Sequence, residues 1–384
     1  MSMSEEISVE RAKNSRPRMA NLELLRCVAM MMVVVLHFLG KGDILGNLSE
    51  ESMGSVGFAA WVLEIFCIVA VNVYMLISGY FLCTSSFKLS RLIGLYLQVW
   101  VYSVAVGLLA AGFGIYPAEE FSIHYLLTLG FPVIMGHYWF MTAYVFLYLL
   151  LPLVGMAARS MSRQQIKAVL CLLLFTFCLL KSILPARLEM DGQGYDVLWY
   201  LCVFMTAAYI RRFGVPFLKR KGVALCLYLL GCAATFVELM ALRLLYLRTG
   251  SLEHIIKVPI EYNHLLPFLA SVGMFGVFRL IRLPKKMTES VNRIAPYTLG
   301  VYLLHENMGV RYQWQLWFGA GRIQSVAELL LRTLFAVIVV FIVGVLVDMA
   351  RAVLMRTFHR GLLHLSPYRF VVDKVNAVDE LFRG

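Results

Sequence analysis

The sequence of 384 residues contains little charge, since only 15% of its residues are Asp, Glu, Lys or Arg and 60% are hydrophobic. A soluble protein of this length needs far more charge to cover its surface. The mean hydropathy of +0.76 leads to the same conclusion. These values exclude a soluble globular domain and predict an all-α, polytopic membrane protein.

The sequence also lacks the short motifs of several common enzyme classes. It has no GxSxG, Walker A, HExxH or GxGxxG pattern and no CxxC array, so it indicates no hydrolase elbow, P-loop, zinc-protease or dinucleotide site. The eight cysteines lie mainly within apolar runs and show no metal-ligand spacing. We interpret them as small buried residues and expect no metal.

The net charge of +12 would suit a nucleic-acid-binding protein. The basic residues, however, cluster in alternate predicted loops, which is the pattern of positive-inside membrane topology. We therefore expect membrane lipid and no nucleic acid as a partner of these loops. The same bias predicts that both termini are cytoplasmic.

Apolar runs long enough to cross a hydrocarbon core of about 30 Å recur along the whole chain. We predict about ten transmembrane helices in one bundle at 20–350. A basic cytoplasmic N-terminus, 1–19, precedes the bundle, and a cytoplasmic amphipathic tail, 351–384, follows it on the inner membrane surface. The predicted spans are 20–39, 57–83, 91–113, 137–155, 165–184, 195–212, 222–246, 263–281, 295–312 and 326–350.

The first predicted span carries two ionisable residues in an otherwise apolar stretch, RCVAMMMVVVLH, which begins at Arg26 and ends at His37. The two are about three helical turns apart, so they share a face and lie roughly 16 Å apart along the axis. Ionisable residues within a span usually face the bundle interior or a wet cavity. The alternative is that each snorkels to its nearer membrane interface.

A second histidine occurs in the ninth predicted span, where PYTLGVYLLHEN contains His305 and Glu306. In the predicted topology these residues reach the same outer side as His37. Two histidines and a carboxylate supply a base with a pKa near neutrality and a group that orients it, as proton transfer requires. A structural histidine at a helix end would give the same pattern.

The stretch FKLSRLIGLY places Lys88 and Arg91 one turn apart at the inner mouth of the third span. Together with Arg26 they would bind a phosphorylated cytosolic molecule, although ordinary positive-inside anchors give the same pattern. We expect Glu64 to pair with an arginine or lysine that the sequence does not identify. We interpret Trp139 as part of an interfacial belt in preference to a stacking platform.

The stretches around Arg26 and His37, Lys88 and Arg91, and His305 resemble motifs of the transmembrane acyltransferase-3 family, the integral-membrane O-acetyltransferases of bacterial cell-envelope polysaccharides. NLELLRCVAMMMVVVLH is similar to the first helix of that family, in which ten residues separate an arginine from a histidine. Four later elements are matched in order by VNVYMLISGYFL, FKLSRLIGLY, HYWFMTAYVFLYLLLPLV and PYTLGVYLLH. The resemblance covers nearly the whole chain, from about residue 20 to 350.

The resemblance implies transfer of an acetyl or other acyl group from cytosolic acetyl-CoA (acyl-CoA) to a hydroxyl of a sugar or polysaccharide acceptor on the outer side of a bacterial cytoplasmic membrane. It also implies that His37 is catalytic and that Arg26 engages the donor. With His37, we place Arg26, His305 and Glu306 among the catalytic candidates, and Arg26, Lys88 and Arg91 among the donor-binding candidates. The family often has two arginines in the basic motif, so the lysine here weakens the case for bidentate phosphate binding.

Several alternatives stay open at this point. The sequence does not distinguish direct transfer from an acyl-histidine intermediate, and it does not identify the acceptor. The main alternative function is that of a transporter or flippase for a glycan or lipid intermediate, which would use the same polar residues for substrate passage. A membrane sensor without catalysis is a third.

Overall fold

The computed structural model of the protein describes residues 18–184 and 191–382, so most of the predicted N-terminal segment lies outside the described residues. The described residues form helices and loops, with no β-strand among them. The α-helices in chain order are α1 (Ala20–Lys41), α2 (Ser55–Cys67), α3 (Ala70–Leu82), α4 (Leu89–Gly112), α5 (Ile123–Gly130), α6 (Trp139–Leu149), α7 (Leu151–Ser160), α8 (Arg163–Leu174), α9 (Leu180–Ile183), α10 (Val197–Phe213), α11 (Lys221–Thr249), α12 (Leu265–Arg279), α13 (Lys285–Ile294), α14 (Thr298–His305), α15 (Trp314–Trp317), α16 (Val326–Leu362) and α17 (Ser366–Leu381). A π-helical turn joins α8 to α9 at Phe175–Leu179, and short 3₁₀-helices lie at Ala118–Glu120, Pro216–Lys219, Glu253–Ile255, Val258–Ile260, Ala295–Tyr297 and Ala320–Arg322.

Six helical segments of the described residues, two of which join consecutive helices (α2 with α3, and α8 with α9), are long and apolar enough to cross a membrane, which makes the chain a multi-pass helical membrane protein. They are Ala20–Lys41, Ser55–Leu82, Leu89–Gly112, Arg163–Ile183, Lys221–Thr249 and Val326–Leu362. A seventh candidate is the pair α6 and α7, if these two helices, which meet at a bend of 61°, form one broken span.

The predicted count of ten spans is not confirmed. The other three predicted spans fall on α10, α12 and α14, which have only 17, 15 and 8 residues. At about 1.5 Å per residue, each is shorter than a hydrocarbon core of about 30 Å. Most of their side chains are buried against other helices. Hydropathy is high in a buried short helix as well as in a true span, so hydropathy alone does not decide whether these three helices cross the membrane.

α1 lies inside the bundle, where it contacts α2, α3, α12, α14 and α16. Between Ala20 and Leu39 it has no glycine or proline to interrupt the helix. It ends where Gly42 donates its backbone N–H to the carbonyl of Phe38 at 3.1 Å. Because helices surround α1, its few polar side chains face protein or internal cavities.

The outer helices expose apolar side chains around this interior. Only 22% of the most apolar window of α4 is buried, and the values for α11 and α16 are both 28%. Phe113, Leu230 and Leu331 are 77%, 67% and 67% exposed. Such a ring of exposed apolar groups is what a lipid-facing surface requires.

α3 packs closely on α10 and carries a polar residue that positions part of the site. A Cβ atom on Gly79 would lie 2.9 Å from the Cβ of Ala207, so only glycine allows this approach. In the same helix, buried Asn72 donates to the carbonyl of Tyr262 at 2.7 Å and accepts from the indole of Trp199 at 2.8 Å. These bonds fix the loop that carries Tyr262.

The last long helix does not end at 350, as predicted, but continues to Leu362. α17 then packs back on α4, where the backbone N–H and hydroxyl of Ser90 donate to Asp379 at 3.1 and 2.5 Å. Burial alone raises the pKa of Asp379, but these hydrogen bonds outweigh it and hold the pKa below its ordinary value.

Candidate active site

α1 directs Arg26 and His37 towards the interior of the protein at opposite ends of the helix. Their side chains are 26% and 18% exposed, and the exposed parts line internal cavities. Their spacing corresponds to about 16 Å along the axis. We refer to the corresponding ends of the bundle as the Arg26 end and the His37 end.

His37 contacts His305, the last residue of α14, and Glu306, the residue that follows it. The Nδ1 atom of His37 lies 2.9 Å from Nε2 of His305 and 3.1 Å from Oε2 of Glu306. His305 and Glu306 are each only 3% exposed. The structure therefore brings together the three residues that the sequence nominated for proton transfer, while their roles stay predictions.

The contacts of the two imidazoles determine where their protons lie. Nδ1 of His305 is 2.5 Å from the carbonyl oxygen of Val301, which only accepts, so this nitrogen carries the proton. Nε2 of neutral His305 is then an acceptor. Since both neighbours of His37 Nδ1 accept, this nitrogen also carries a proton, and the lone pair of His37 is on Nε2. That atom is the available base.

Glu306 is held by two cations that the sequence analysis did not nominate. The ammonium group of Lys41 contacts both carboxylate oxygens, and Nε of Arg311 lies 3.6 Å from Oε1. Arg311 is fixed in turn by the backbone carbonyls of Glu306 and His137, at 3.2 and 2.7 Å. A signal for Lys41 was present, because it follows His37 by one helical turn on the same face. Nothing in the spacing identifies Arg311, which lies in a loop.

The cluster of His37, His305 and Glu306 also meets the distance requirement of a metal site, because its ligand atoms lie within 4.8 Å of one another. The charges around it do not favour one. Lys41 and Arg311 already neutralise the single carboxylate, so a divalent cation would face two positive groups at close range. The donor set therefore fits proton transfer better than metal binding.

A cavity of about 250 Å³ lies at the Arg26 end, and we call it the Arg26 cavity. It combines two cationic groups with aromatic and aliphatic walls. Its lining is Arg26, Tyr74, Ser78, Arg91, Leu92, Leu95, Phe140, Met141, Tyr144, Tyr148, Ala295, Pro296, Thr298 and Leu299. Arg26 also pairs with Glu23, one turn earlier, at 2.8 Å. Two arginines on one cavity can bind an anionic group such as a phosphate.

Lys88, the third residue nominated for donor binding, does not line this cavity. It is the residue before the first turn of α4, and its backbone N–H and carbonyl both contact the hydroxyl of Tyr148 at 3.2 Å. Only its backbone therefore supports the cavity wall. Arg26 and Arg91 line the same cavity, and the side chain of Lys88 does not line it.

A small cavity of about 30 Å³, which we call the passage, lies between the Arg26 cavity and His37. It shares Tyr74, Phe140 and Leu299 with that cavity, and His37 and Tyr302 line it further along. Most of the other lining side chains are apolar. Arg26 and His37 thus line neighbouring cavities along one side of α1.

A larger cavity of about 750 Å³ lies beyond the passage at the His37 end, and we call it the His37 cavity. His37, Lys41, Glu306 and Arg311 all line it. Its wall also contains an aromatic cluster, which consists of Trp139, Tyr195 and Tyr262. Trp139 is therefore part of an internal cavity wall and not only of an interfacial belt.

Glu64 lines the His37 cavity without the basic partner that the sequence analysis expected. The residue is 8% exposed, and its Oε2 atom is buried without a hydrogen bond. No lysine or arginine within residues 18–184 and 191–382 forms an ion pair with it. The prediction of a paired carboxylate is wrong for this part of the chain, because α2 turns Glu64 towards the cavity.

Comparison with known proteins gives one result for nearly the whole chain. The sequence model of a family described as an acyltransferase domain matches residues 19–349. No curated protein and no solved structure matches the chain.

Proposed function

The chain belongs to this acyltransferase family, and from that premise we propose that it transfers an acetyl group from acyl-CoA to a hydroxyl of a sugar acceptor. The observation that supports this most is the passage from the Arg26 cavity to the His37 cluster. A transferase of this kind needs an anion-binding site for the nucleotide of CoA, a path for its neutral arm and a base near the thioester. All three are available along α1.

Arg26 and Arg91 are the groups best suited to the negatively charged nucleotide of the donor. The mainly apolar passage suits the neutral arm, and the distance of about 16 Å along α1 requires an extended arm to bring the thioester to His37. The passage is narrower than an acyl thioester, so Tyr74, Phe140 and Leu299 must move when the donor enters. Arg26 is too far from His37 to stabilise charge at the thioester, so its role is to position the donor.

His37 acts as the general base in this proposal. Its Nε2 atom takes the proton of the acceptor hydroxyl while the hydroxyl oxygen attacks the thioester carbonyl. The C–S bond then breaks, the new ester C–O bond remains, and His37 returns the proton to the leaving thiolate. His305 keeps His37 in the required tautomer, and Glu306 stabilises the imidazolium that forms.

We further propose that the Arg26 end faces the cytosol of a bacterium, where acyl-CoA is available, and that the His37 cavity opens on the other side of the cytoplasmic membrane. The positive-inside bias of the loops supports this orientation. It places both termini in the cytoplasm. The acceptor would be a sugar of the cell envelope, reached from outside or presented on a lipid.

The activity is tested with the purified full-length protein in lipid nanodiscs and labelled acetyl-CoA. An acyltransferase releases free CoA thiol and forms an O-acetylated sugar in equal amounts when an acceptor is added. A transporter or flippase binds or moves a glycan but releases no thiol. Absence of thiol release and of any acetylated product with all acceptors would overturn the proposal.

Replacing Arg26 by alanine should raise KM for acetyl-CoA about 10- to 100-fold, since a hydrogen bond to a charged group contributes about 1.5–3 kcal/mol. Arg26→Lys should recover only part of the affinity, because a lysine cannot bind a phosphate in a bidentate manner. KM for the acceptor should not change.

Lys88→Ala is the matched control for this measurement. It removes a positive charge close to the same cavity but from a side chain that does not line it, so KM for acetyl-CoA should stay within about twofold. Equal effects of Arg26→Ala and Lys88→Ala would mean that general surface charge, and not the cavity, attracts the donor.

A further inference from the structure

The His37 cavity is larger than proton transfer at His37 requires, and its volume of about 750 Å³ lies in the range of small-molecule binding sites. It is continuous with the catalytic cluster, because His37 and Glu306 form part of its wall. On the proposed function, the acceptor has to occupy this space. The chemistry of the remaining wall then indicates what kind of acceptor fits.

The aromatic cluster forms one side of this wall. The rings of Trp139 and Tyr262 are stacked, with centroids 5.8 Å apart and an angle of 18° between their planes. The ring of Tyr195 packs against both, with its centroid 4.3 Å from that of Trp139 and 4.9 Å from that of Tyr262. Tyr195 is 45% exposed, so it presents ring surface to a ligand.

The spacing of the rings distinguishes two uses of an aromatic cluster. An ammonium cage surrounds its ligand, and each ring then contacts the cation at up to about 6 Å from its centroid. Here the three rings contact one another at 4.3–5.8 Å, which leaves no room for a cation between them. Tyr195 is tilted by 53–55° to the other two rings and is the exposed member of the cluster. Its ring is the platform that suits the apolar face of a pyranose ring.

Glu64 supplies the polar counterpart. Its carboxyl group lines the same cavity, lacks a hydrogen bond or ion pair from any described residue, and interacts electrostatically with Tyr195 and Tyr262. An unsatisfied buried carboxyl group is costly. A ligand that donates hydroxyl groups to it would remove this cost. Two neighbouring hydroxyls of a sugar ring match its two oxygens.

The cavity offers no surplus of positive charge. Its wall carries three cations, Lys41, Lys257 and Arg311, and four carboxyl groups, Glu64, Glu253, Glu261 and Glu306. Lys41 and Arg311 share the carboxylate of Glu306, and Glu261 is paired with Lys181. An acidic group on the sugar ring would therefore meet the carboxyl group of Glu64 without an excess of cations beside it. This balance disfavours a uronic acid or a sugar phosphate at this position.

We propose that Trp139, Tyr195 and Tyr262, together with Glu64, form the acceptor subsite, and that the ring bound there is an uncharged sugar. The carboxyl group of Glu64 forms hydrogen bonds with two hydroxyls of this ring, and the aromatic cluster supports its apolar face. A third hydroxyl is then presented to Nε2 of His37. This inference rests on the proposed acyltransferase function.

The test compares Glu64→Gln with Glu253→Gln in full-length protein in lipid nanodiscs. Methyl glycosides of a neutral hexose serve as acceptor probes. Glu64→Gln should raise KM for the glycoside about 10- to 100-fold and leave KM for acetyl-CoA unchanged. Glu253 is a carboxylate on the same cavity that accepts a hydrogen bond from Ser49 at 2.8 Å, and its replacement should change both values less than threefold.

The melting temperature of Glu64→Gln shows whether Glu64 recognises the acceptor or only supports the fold. If Glu64 serves the acceptor, Glu64→Gln removes an unsatisfied carboxyl group, and the ligand-free variant should melt at the same temperature as the wild type or above it. A lower melting temperature together with an unchanged KM for the glycoside would overturn the assignment of Glu64.

Tyr195 tests the platform. Tyr195→Phe keeps the ring and should keep KM for the glycoside within about threefold. Tyr195→Ala removes the ring and should raise this KM about tenfold, the factor that corresponds to 1.4 kcal/mol. Equal values for the two variants would show that no sugar rests on the cluster.

The choice of sugar is tested with the wild type and methyl glycosides of a neutral hexose, a uronic acid, a hexosamine and a hexose phosphate. The neutral glycoside should be acetylated with the highest kcat/KM. A preference for a charged glycoside, with thiol release intact, would overturn this inference alone. No thiol release with any glycoside, in the presence of bound acetyl-CoA, would overturn the proposed function as well.

Discussion

His37→Asn should lower kcat about 10²- to 10⁴-fold, the range that a positioned general base contributes. Asparagine can still donate a hydrogen bond from the position of Nδ1 to Glu306 and His305, so the cluster keeps its contacts. What it loses is the lone pair on Nε2. The measurement is the rate of thiol release with an acceptor present, together with KM for acetyl-CoA, which should not change.

The His37 variant also needs proof of folding. Its melting temperature in nanodiscs and its binding of labelled acetyl-CoA should match the wild type, because Arg26 lies about 16 Å from His37 along α1. Activity at a near-normal rate would rule out His37 as the base. A burst of thiol in the wild type without acceptor, accompanied by an acetyl group on His37 in the intact mass, would instead show the acyl-histidine route.

The pair of residues in α1 was the part of the site that the sequence predicted best. A helix fixes the relation of Arg26 to His37 without reference to the rest of the fold, because residues about three turns apart share a face. The interior position of α1 then follows from its neighbours, which no local spacing specifies. Because α1 lies inside the bundle, the face that Arg26 and His37 share borders neighbouring cavities of the protein.

The contacts of His37 with His305 and Glu306 join residues that are nearly 270 positions apart in the sequence. The sequence indicated only that both histidines reach the same side of the membrane. The hydrogen bond at 2.9 Å depends on how α14 packs against α1. The same is true of Arg311, which reaches Glu306 from a loop after α14.

Burial explains both why the count of ten spans is not confirmed and why Glu64 lacks the expected basic partner. α10, α12 and α14 are apolar because they pack inside the bundle, and hydropathy cannot distinguish this environment from lipid. Glu64 was expected to have a basic partner because an isolated charge within a span is costly. The structure exposes it to a cavity, so the compensating group can come from a ligand.

The second large effect is expected at Glu306. Glu306→Gln removes the carboxylate beside His37 and leaves Lys41 and Arg311 without their counter-charge. Both cations then oppose protonation of His37, so the imidazolium that must form during transfer becomes costly. We expect kcat to fall about 10²- to 10⁴-fold, as for the loss of the carboxylate behind a catalytic histidine. KM for acetyl-CoA should stay constant.

A double variant distinguishes this charge effect from a loss of local structure. Glu306→Gln combined with Lys41→Met removes one negative and one positive group, so it relieves part of the opposition to His37 protonation. If electrostatics is the cause, the double variant should be more active than Glu306→Gln alone, with a coupling energy of about 0.5–3 kcal/mol between the two sites. If Glu306 served only to hold the loop, removing its lysine partner as well would leave activity equal or lower. The sign of the coupling therefore decides whether the cluster acts on the proton of His37 or only on its position.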